Sequence, residues 1–195
     1  MTVWERSRQL ASQEILDAAV RLFTTQGYEE TTTTQIAREA GVSQRTLYRY
    51  FGTKEDLLCG DQDELGALLR RTVEEQPAEV SAWQALRAGF VTLLSTHDSL
   101  ERTRAVSTLI FRTPVLRAAL MQKRLQWQTD LLPTMRARLL AAGREGIAAE
   151  HEARTVIAVS FACVDSATAT WIQTGDSQDL VALYDEALAY ARASA

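Results

Sequence analysis

Apolar positions recur at helical spacing along the whole chain, and no stretch alternates apolar with polar residues as a strand would. From about Gln9 to Gln26 the stripe is Ile15, Ala18, Ala19, Leu22 and Phe23, and Gly27 stops it. Two short helices follow. Thr32 caps the first, with Gln35 three positions on completing a reciprocal capping box, and Ile36, Ala37 and Ala40 form its narrow apolar face. Gly41 stands where the chain must turn through a left-handed conformation. Ser43 caps the second helix, in which Leu47 and Phe51 point together at the first.

After Thr53 a longer helix is expected, buried through Leu57, Leu58, Leu65, Leu68, Leu69 and Val73 and ended by Glu75-Gln76-Pro77. Gly60 and Gly66 within it each weaken a helix by about 1 kcal/mol relative to alanine, so either it bends or something packs closely there. Ser81 caps a helix carrying Trp83, Leu86, Phe90, Leu93 and Leu94, and a shorter one spans about residues 100–111. Thr113-Pro114 opens a long helix ending at Gly143, with a kink expected at Pro133. Arg154 to Thr174 and Ser177 to Ala193 form a final pair split by Gly175-Asp176. The fold class is all-α.

The second short helix is crowded with donors. Gln44, Arg45, Tyr48 and Arg49 share its outward face, with Thr46 and Tyr50 on the flanks, and no acidic residue interrupts Ser43 to Lys54. Gln pairs with adenine and Arg with guanine through two hydrogen bonds each, and the Thr and Tyr hydroxyls suit phosphates. Thr53 and Lys54 then open the next helix, where main-chain amides and an ammonium group together suit a phosphate. Taken alone, such a face is also what a solvated surface helix presents.

The run GVSQRTLYRYFGTKEDLL, with the preceding ILDAAVRLFTTQGYEETTTTQIAREA, resembles the tetracycline-repressor (TetR) family of bacterial transcription regulators over roughly the first 60 residues. The resemblance implies a three-helix, homeodomain-like helix-turn-helix head over residues 1–54 and a helical ligand-binding and dimerisation bundle over residues 55–195. By the same resemblance Thr33, Thr34, Gln44, Arg45, Thr46, Tyr48, Tyr50 and Lys54 stand at positions that family members use on DNA. Arg45 occupies a position that is often small or proline, so its bond to guanine is read from the residue itself, and Arg49 serves a base or a phosphate.

Overall charge is −4, against a polyanion partner at first sight. Its distribution changes that: up to Lys54 there are seven Lys or Arg against six Asp or Glu, and afterwards fourteen against nineteen. Cys59 and Cys163 are too few for a disulfide framework or zinc site, no leader is legible, and no apolar run approaches the ~20 residues that span a bilayer, so a cytoplasmic protein without membrane partners is expected. Enzymatic signatures are missing from the sequence: His97 and His151 are its only histidines, and it has neither a phosphate-cradling glycine loop nor a GxSxG turn. Asp61, Asp63 and Glu64 read as a solvated face, and no cofactor is expected.

On the final helices Ile157, Phe161, Val164, Thr168 and Trp171, then Leu180, Leu183, Tyr184 and Leu188, form stripes that either fill a core or meet a second copy, while Ala158, Ala162, Ala167 and Ala169 keep the other faces thin. The resemblance implies the second copy, and with it a palindromic operator. Trp83, Phe90, Phe111, Leu116, Leu120, Trp127, Leu131 and Met135 either pack a core or line a pocket for an apolar effector. The segment LERTRAVSTLIFRTPVLRAALMQKRLQW is similar to a TetR subgroup with acyl-CoA-like ligands, in which case Arg102, Arg104 or Arg112 meets an acidic head group. The expected function is a homodimeric, ligand-responsive repressor. The alternative is a structural or protein-interaction module that keeps the fold without reading DNA.

Overall fold

The computed structural model describes residues 3–59, 62–95, 100–175 and 178–193, with side chains from Leu10 onward apart from those of residues 59, 62 and 63. Among the described residues every regular element is helical: α1 (Val3–Gln26), α2 (Thr33–Glu39), α3 (Gln44–Tyr50), α4 (Asp56–Cys59), α5 (Gln62–Glu74), α6 (Ala82–Ser95), α7 (Leu100–Arg112), α8 (Pro114–Ala141), α9 (Gly146–Thr174) and α10 (Leu180–Ala193). They form two compact units, Met1–Asp61 with Glu101–Leu120, and Gln62–Leu100 with Met121–Ala195.

The first unit is the head. Its division from the rest does not fall after residue 54, because Leu57, Leu58, Ile110, Leu116 and Leu120 join Ile15, Ala19, Phe23, Ile36 and Leu47 in one core. Local chemistry places α2 and α3. The Gln35 amide donates to Thr32 Oγ1 at 3.2 Å while the Thr32 amide donates to Gln35 Oε1 at 2.7 Å, closing the expected box. Gly41 turns the chain at φ +65°, a conformation that a Cβ would strain, and Ser43 Oγ accepts from the Thr46 amide at 3.0 Å to start α3.

In the second unit α5 packs on α6, and α9 on α10 and α6. Phe90 sits at the centre of its core, with its ring centroid 5.0 Å from that of Phe161 and 5.6 Å from that of Tyr184. Arg138 of α8 closes the end of α5: its guanidinium donates to the carbonyls of Val73, Gln76, Pro77 and Val80 at 2.6 to 3.1 Å, satisfying acceptors that a helix C-terminus leaves open. Gly66 is a point of close approach. A Cβ there would lie 2.6 Å from Trp127 Nε1, which answers for this glycine whether α5 bends or packs. Gly60 lies outside the described residues.

Several boundaries differ from expectation. The helix expected to run on from Thr53 appears as α4 and α5, with residues 60 and 61 between them outside the described residues. α9 begins at Gly146 rather than Arg154, and α10 at Leu180, where Asp179 Oδ1 accepts from the Ala182 amide at 2.8 Å. α8 ends at Ala141 rather than Gly143 and carries Pro133 inside it. The expectation that no segment is long and apolar enough to cross a membrane is corrected by α9, which reaches a mean hydropathy of 1.4 over 18 residues, half of them buried in the chain's own core.

Gly66→Ala is expected to lower the stability of the second unit by about 1–3 kcal/mol through overpacking, outweighing the gain of about 1 kcal/mol in helix preference. Denaturant unfolding followed by helical circular dichroism checks the sign.

Candidate nucleic-acid interface

Seven residues make too short a helix to stand alone, so α3 owes its position to tertiary packing. Leu47 is fully buried in the head core and Tyr50 and Phe51 pack against it, which leaves Gln44, Arg45, Tyr48 and Arg49 exposed on the opposite side. Arg45 faces solvent, and among the described residues nothing pairs with its guanidinium. The Arg49 guanidinium lies 5.4 Å from the centroid of the Tyr50 ring. Thr34 is exposed, and Thr46, half-buried, turns its hydroxyl to Ser43 Oγ at 2.8 Å.

Helix α2 contributes to the same surface. Thr33 Oγ1 lies 3.0 Å from the Tyr48 hydroxyl and accepts from Gln44 Nε2 at 3.3 Å. The structure therefore brings Thr33, Gln44 and Tyr48 into one polar chain, with Arg45 and Arg49 on the same helix.

The phosphate cradle expected at Thr53 and Lys54 takes a different form. Asp56 Oδ2 accepts from the Thr53 amide at 2.9 Å and Thr53 Oγ1 accepts from the Asp56 amide at 3.2 Å, so the helix start supplies its own anion. Lys54 Nζ donates to the Tyr28 carbonyl at 2.5 Å and lies 4.0 Å from the Tyr28 ring centroid and 5.7 Å from that of Phe23. Its first task is to fasten the chain before α4 to the end of α1. The Tyr28 hydroxyl donates to Glu55 Oε1 at 2.5 Å and holds the Glu55 carboxyl below the usual carboxylate range, with Lys54 adding to the effect. Periodicity does not reveal Tyr28 and Glu55 as partners, because they stand 27 residues apart.

The expected effector residues divide between the units. Phe90, Trp127, Leu131 and Met135 lie in the second core with half-buried Trp83 against it, whereas Leu116 and Leu120 lie in the head core and Phe111 belongs to the head's α7. Arg102 is committed to Asp17 at 2.8 Å, Arg112 is exposed, and Arg124, unmarked in the sequence pattern, pairs with Asp165. Ile157, Phe161, Val164, Thr168, Trp171, Leu180, Leu183, Tyr184 and Leu188 are all buried within the protomer, so the stripe expected to meet a second copy is spent on the chain's own core. Ala158, Ala162 and Ser166 form the exposed side of α9. Among the described residues no His, Cys, Asp and Glu group suits a metal, and Asp61 and the Asp63 side chain lie outside them, as do His97 and the Cys59 side chain.

Residues 15–59 match the model of bacterial regulatory proteins of the tetR family, and residues 80–194 match the MftR C-terminal domain. The chain belongs to the TetR family. It is a DNA-binding transcriptional regulator of that family, not an enzyme. The Fatty acid metabolism regulator protein of Bacillus subtilis is 27% identical over 187 residues, 90% of each chain. MftR of Mycobacterium tuberculosis, named as a candidate mycofactocin biosynthesis regulator, is 31% identical over 125 residues, 63% of each chain. The solved structure of Bacillus subtilis FadR in complex with stearoyl-CoA superposes with a TM-score of 0.57 at 25% identity, over 90% of this chain and 95% of that one.

Because Glu55 is held low by its bond from Tyr28, its contribution to this TetR head is present above the ordinary glutamate range and is lost as pH falls through the depressed value. Tyr28→Phe is expected to cost about 0.5–1.5 kcal/mol near neutral pH, and the difference from the unmodified protein should vanish in acid. Denaturant titrations at the two pH values test this.

Proposed function

We propose that this TetR-family chain is a homodimeric repressor that binds a palindromic operator through α3 and leaves it when a small apolar, acyl-CoA-like effector occupies the second unit. The observation that carries the DNA half is the exposure of Gln44, Arg45, Tyr48 and Arg49 together on a helix whose other side is locked into the head core. Such a helix fits the major groove, and Gln and Arg there read base edges while the hydroxyls and the second Arg hold phosphates. Thr34, Thr46 and Lys54 complete the contacts, with Lys54 offering the protons that its bond to Tyr28 leaves over.

The effector half draws on the named relatives and on Trp127. Its indole N–H is buried without an acceptor, against Gly66, in a core that also buries the Ser160 and Tyr184 hydroxyls. An unpaired donor of this kind costs about 1–3 kcal/mol, which an acceptor on a bound molecule would recover. The second copy docks on the thin side of α9, where Ala158, Ala162 and Ser166 permit close helix approach. The protein then works in the cytoplasm, where bacterial DNA lies.

Footprinting on the DNA beside its own gene should protect a palindrome whose half-sites are about 34–36 Å apart or a multiple of that. Added stearoyl-CoA should weaken binding about 5- to 150-fold, the range of ordinary coupling energies. No protected palindrome at moderate salt would favour the interaction-module reading, and protection indifferent to stearoyl-CoA would remove the acyl-CoA half alone. Arg45→Ala should relax the preference at one base position per half-site by about 1–3 kcal/mol, read by competition between operator variants.

A further inference from the structure

We infer that Thr33 is a specificity-positioning residue: its hydroxyl fixes the orientation of the Gln44 amide on α3 and links it to Tyr48. The inference rests on the operator-binding reading above and goes beyond it, because it assigns Thr33 a role exerted through another side chain.

Proton accounting carries the argument. Gln44 Nε2 donates to Thr33 Oγ1 at 3.3 Å, so the amide nitrogen is turned toward α2 and the oxygen away from it. One N–H and both lone pairs of the amide oxygen remain free, which is the donor and acceptor pair that an adenine edge requires. The Thr33 and Tyr48 hydroxyls, 3.0 Å apart, hold two protons between them and use one in their mutual bond. Whichever donates, the other proton stays free for a phosphate oxygen.

Without the Thr33 hydroxyl, no other bond among the described residues distinguishes the two ends of the Gln44 amide. Gln44 and Tyr48 are one helical turn apart on α3, whereas Thr33 begins α2, so the positioning depends on how the two helices cross. The Leu47 contact that sets α3 on the head core also sets the reach of Thr33. A threonine at this place thus converts helix packing into a fixed pattern of donor and acceptor. The distinction matters because an amide free to turn over also offers its donors to guanine or its acceptor to cytosine.

The test is selection of binding sites from a random duplex pool by the full-length protein, followed by affinity measurement on the selected duplex and its single-base variants. Thr33→Val removes the hydroxyl at nearly constant shape and should lower the preference at one base pair per half-site by about fivefold, the lower end of one paired base contact. Thr33→Ser, which keeps the hydroxyl, should retain the preference. Tyr48→Phe should leave the preference in place, since it keeps the Gln44 bond to Thr33. Unchanged melting temperature in Thr33→Val separates positioning from folding.

If Thr33→Val selects the same sequence with the same discrimination, or if Thr33→Ser loses the preference equally, the inference is overturned. If the unmodified protein selects no sequence at all, the operator-binding reading fails first, and that outcome is distinguishable because it appears before any substitution is made.

Discussion

Burial of Leu47 is the constraint on which the surface of the head depends. α3 is too short to hold itself together, and α2, equally short, offers just Ile36 and Ala37 as buried residues. Each exists because the other, with α1, completes a core. The side of α3 that faces Leu47's neighbours is therefore fixed, and the exposed side follows from the helical period alone. Gly41 and the two N-caps set the length and turn of the pair, so that Thr33 on one helix comes within hydrogen-bonding distance of Tyr48 on the other. Chemistry at the surface is thus a consequence of packing below it.

The same economy governs the second unit. Arg138 closes four carbonyls around the end of α5, and Gly66 admits Trp127 where any side chain would collide. The core carries the broad stripes of α9 and α10 entirely within one protomer, and that leaves the small residues of α9 as the outward surface. A regulator needs a rigid reader and a body able to respond. The head is tied by short-range caps and by the Lys54, Tyr28 and Glu55 contacts, while the body retains an unpaired indole donor in its interior.

Features set by spacing within a few residues were legible in the sequence. The Thr32 and Gln35 box, the Ser43 cap, the left-handed Gly41 and the outward set Gln44, Arg45, Tyr48 and Arg49 each follow from three- or four-residue intervals. What required the folded chain were contacts between distant positions: Lys54 on Tyr28, Arg102 on Asp17, Arg138 on the end of α5. Periodicity identifies a face as buried without saying what buries it. For that reason the stripes of α9 and α10 fitted a partner as well as a core, and Leu116 and Leu120 fitted a pocket as well as the head. The anion expected at Thr53 was a third case, since Asp56 supplies it from within.

Placement of α3 against DNA is the central claim, and amide chemical shifts report it directly. Titrating the isotopically labelled protein with a duplex carrying its selected site should shift the amides of residues 33, 34 and 44–50 most, with smaller changes across the buried face of α1. Shifts confined to the second unit, with the α3 amides unmoved at saturation, would contradict the account.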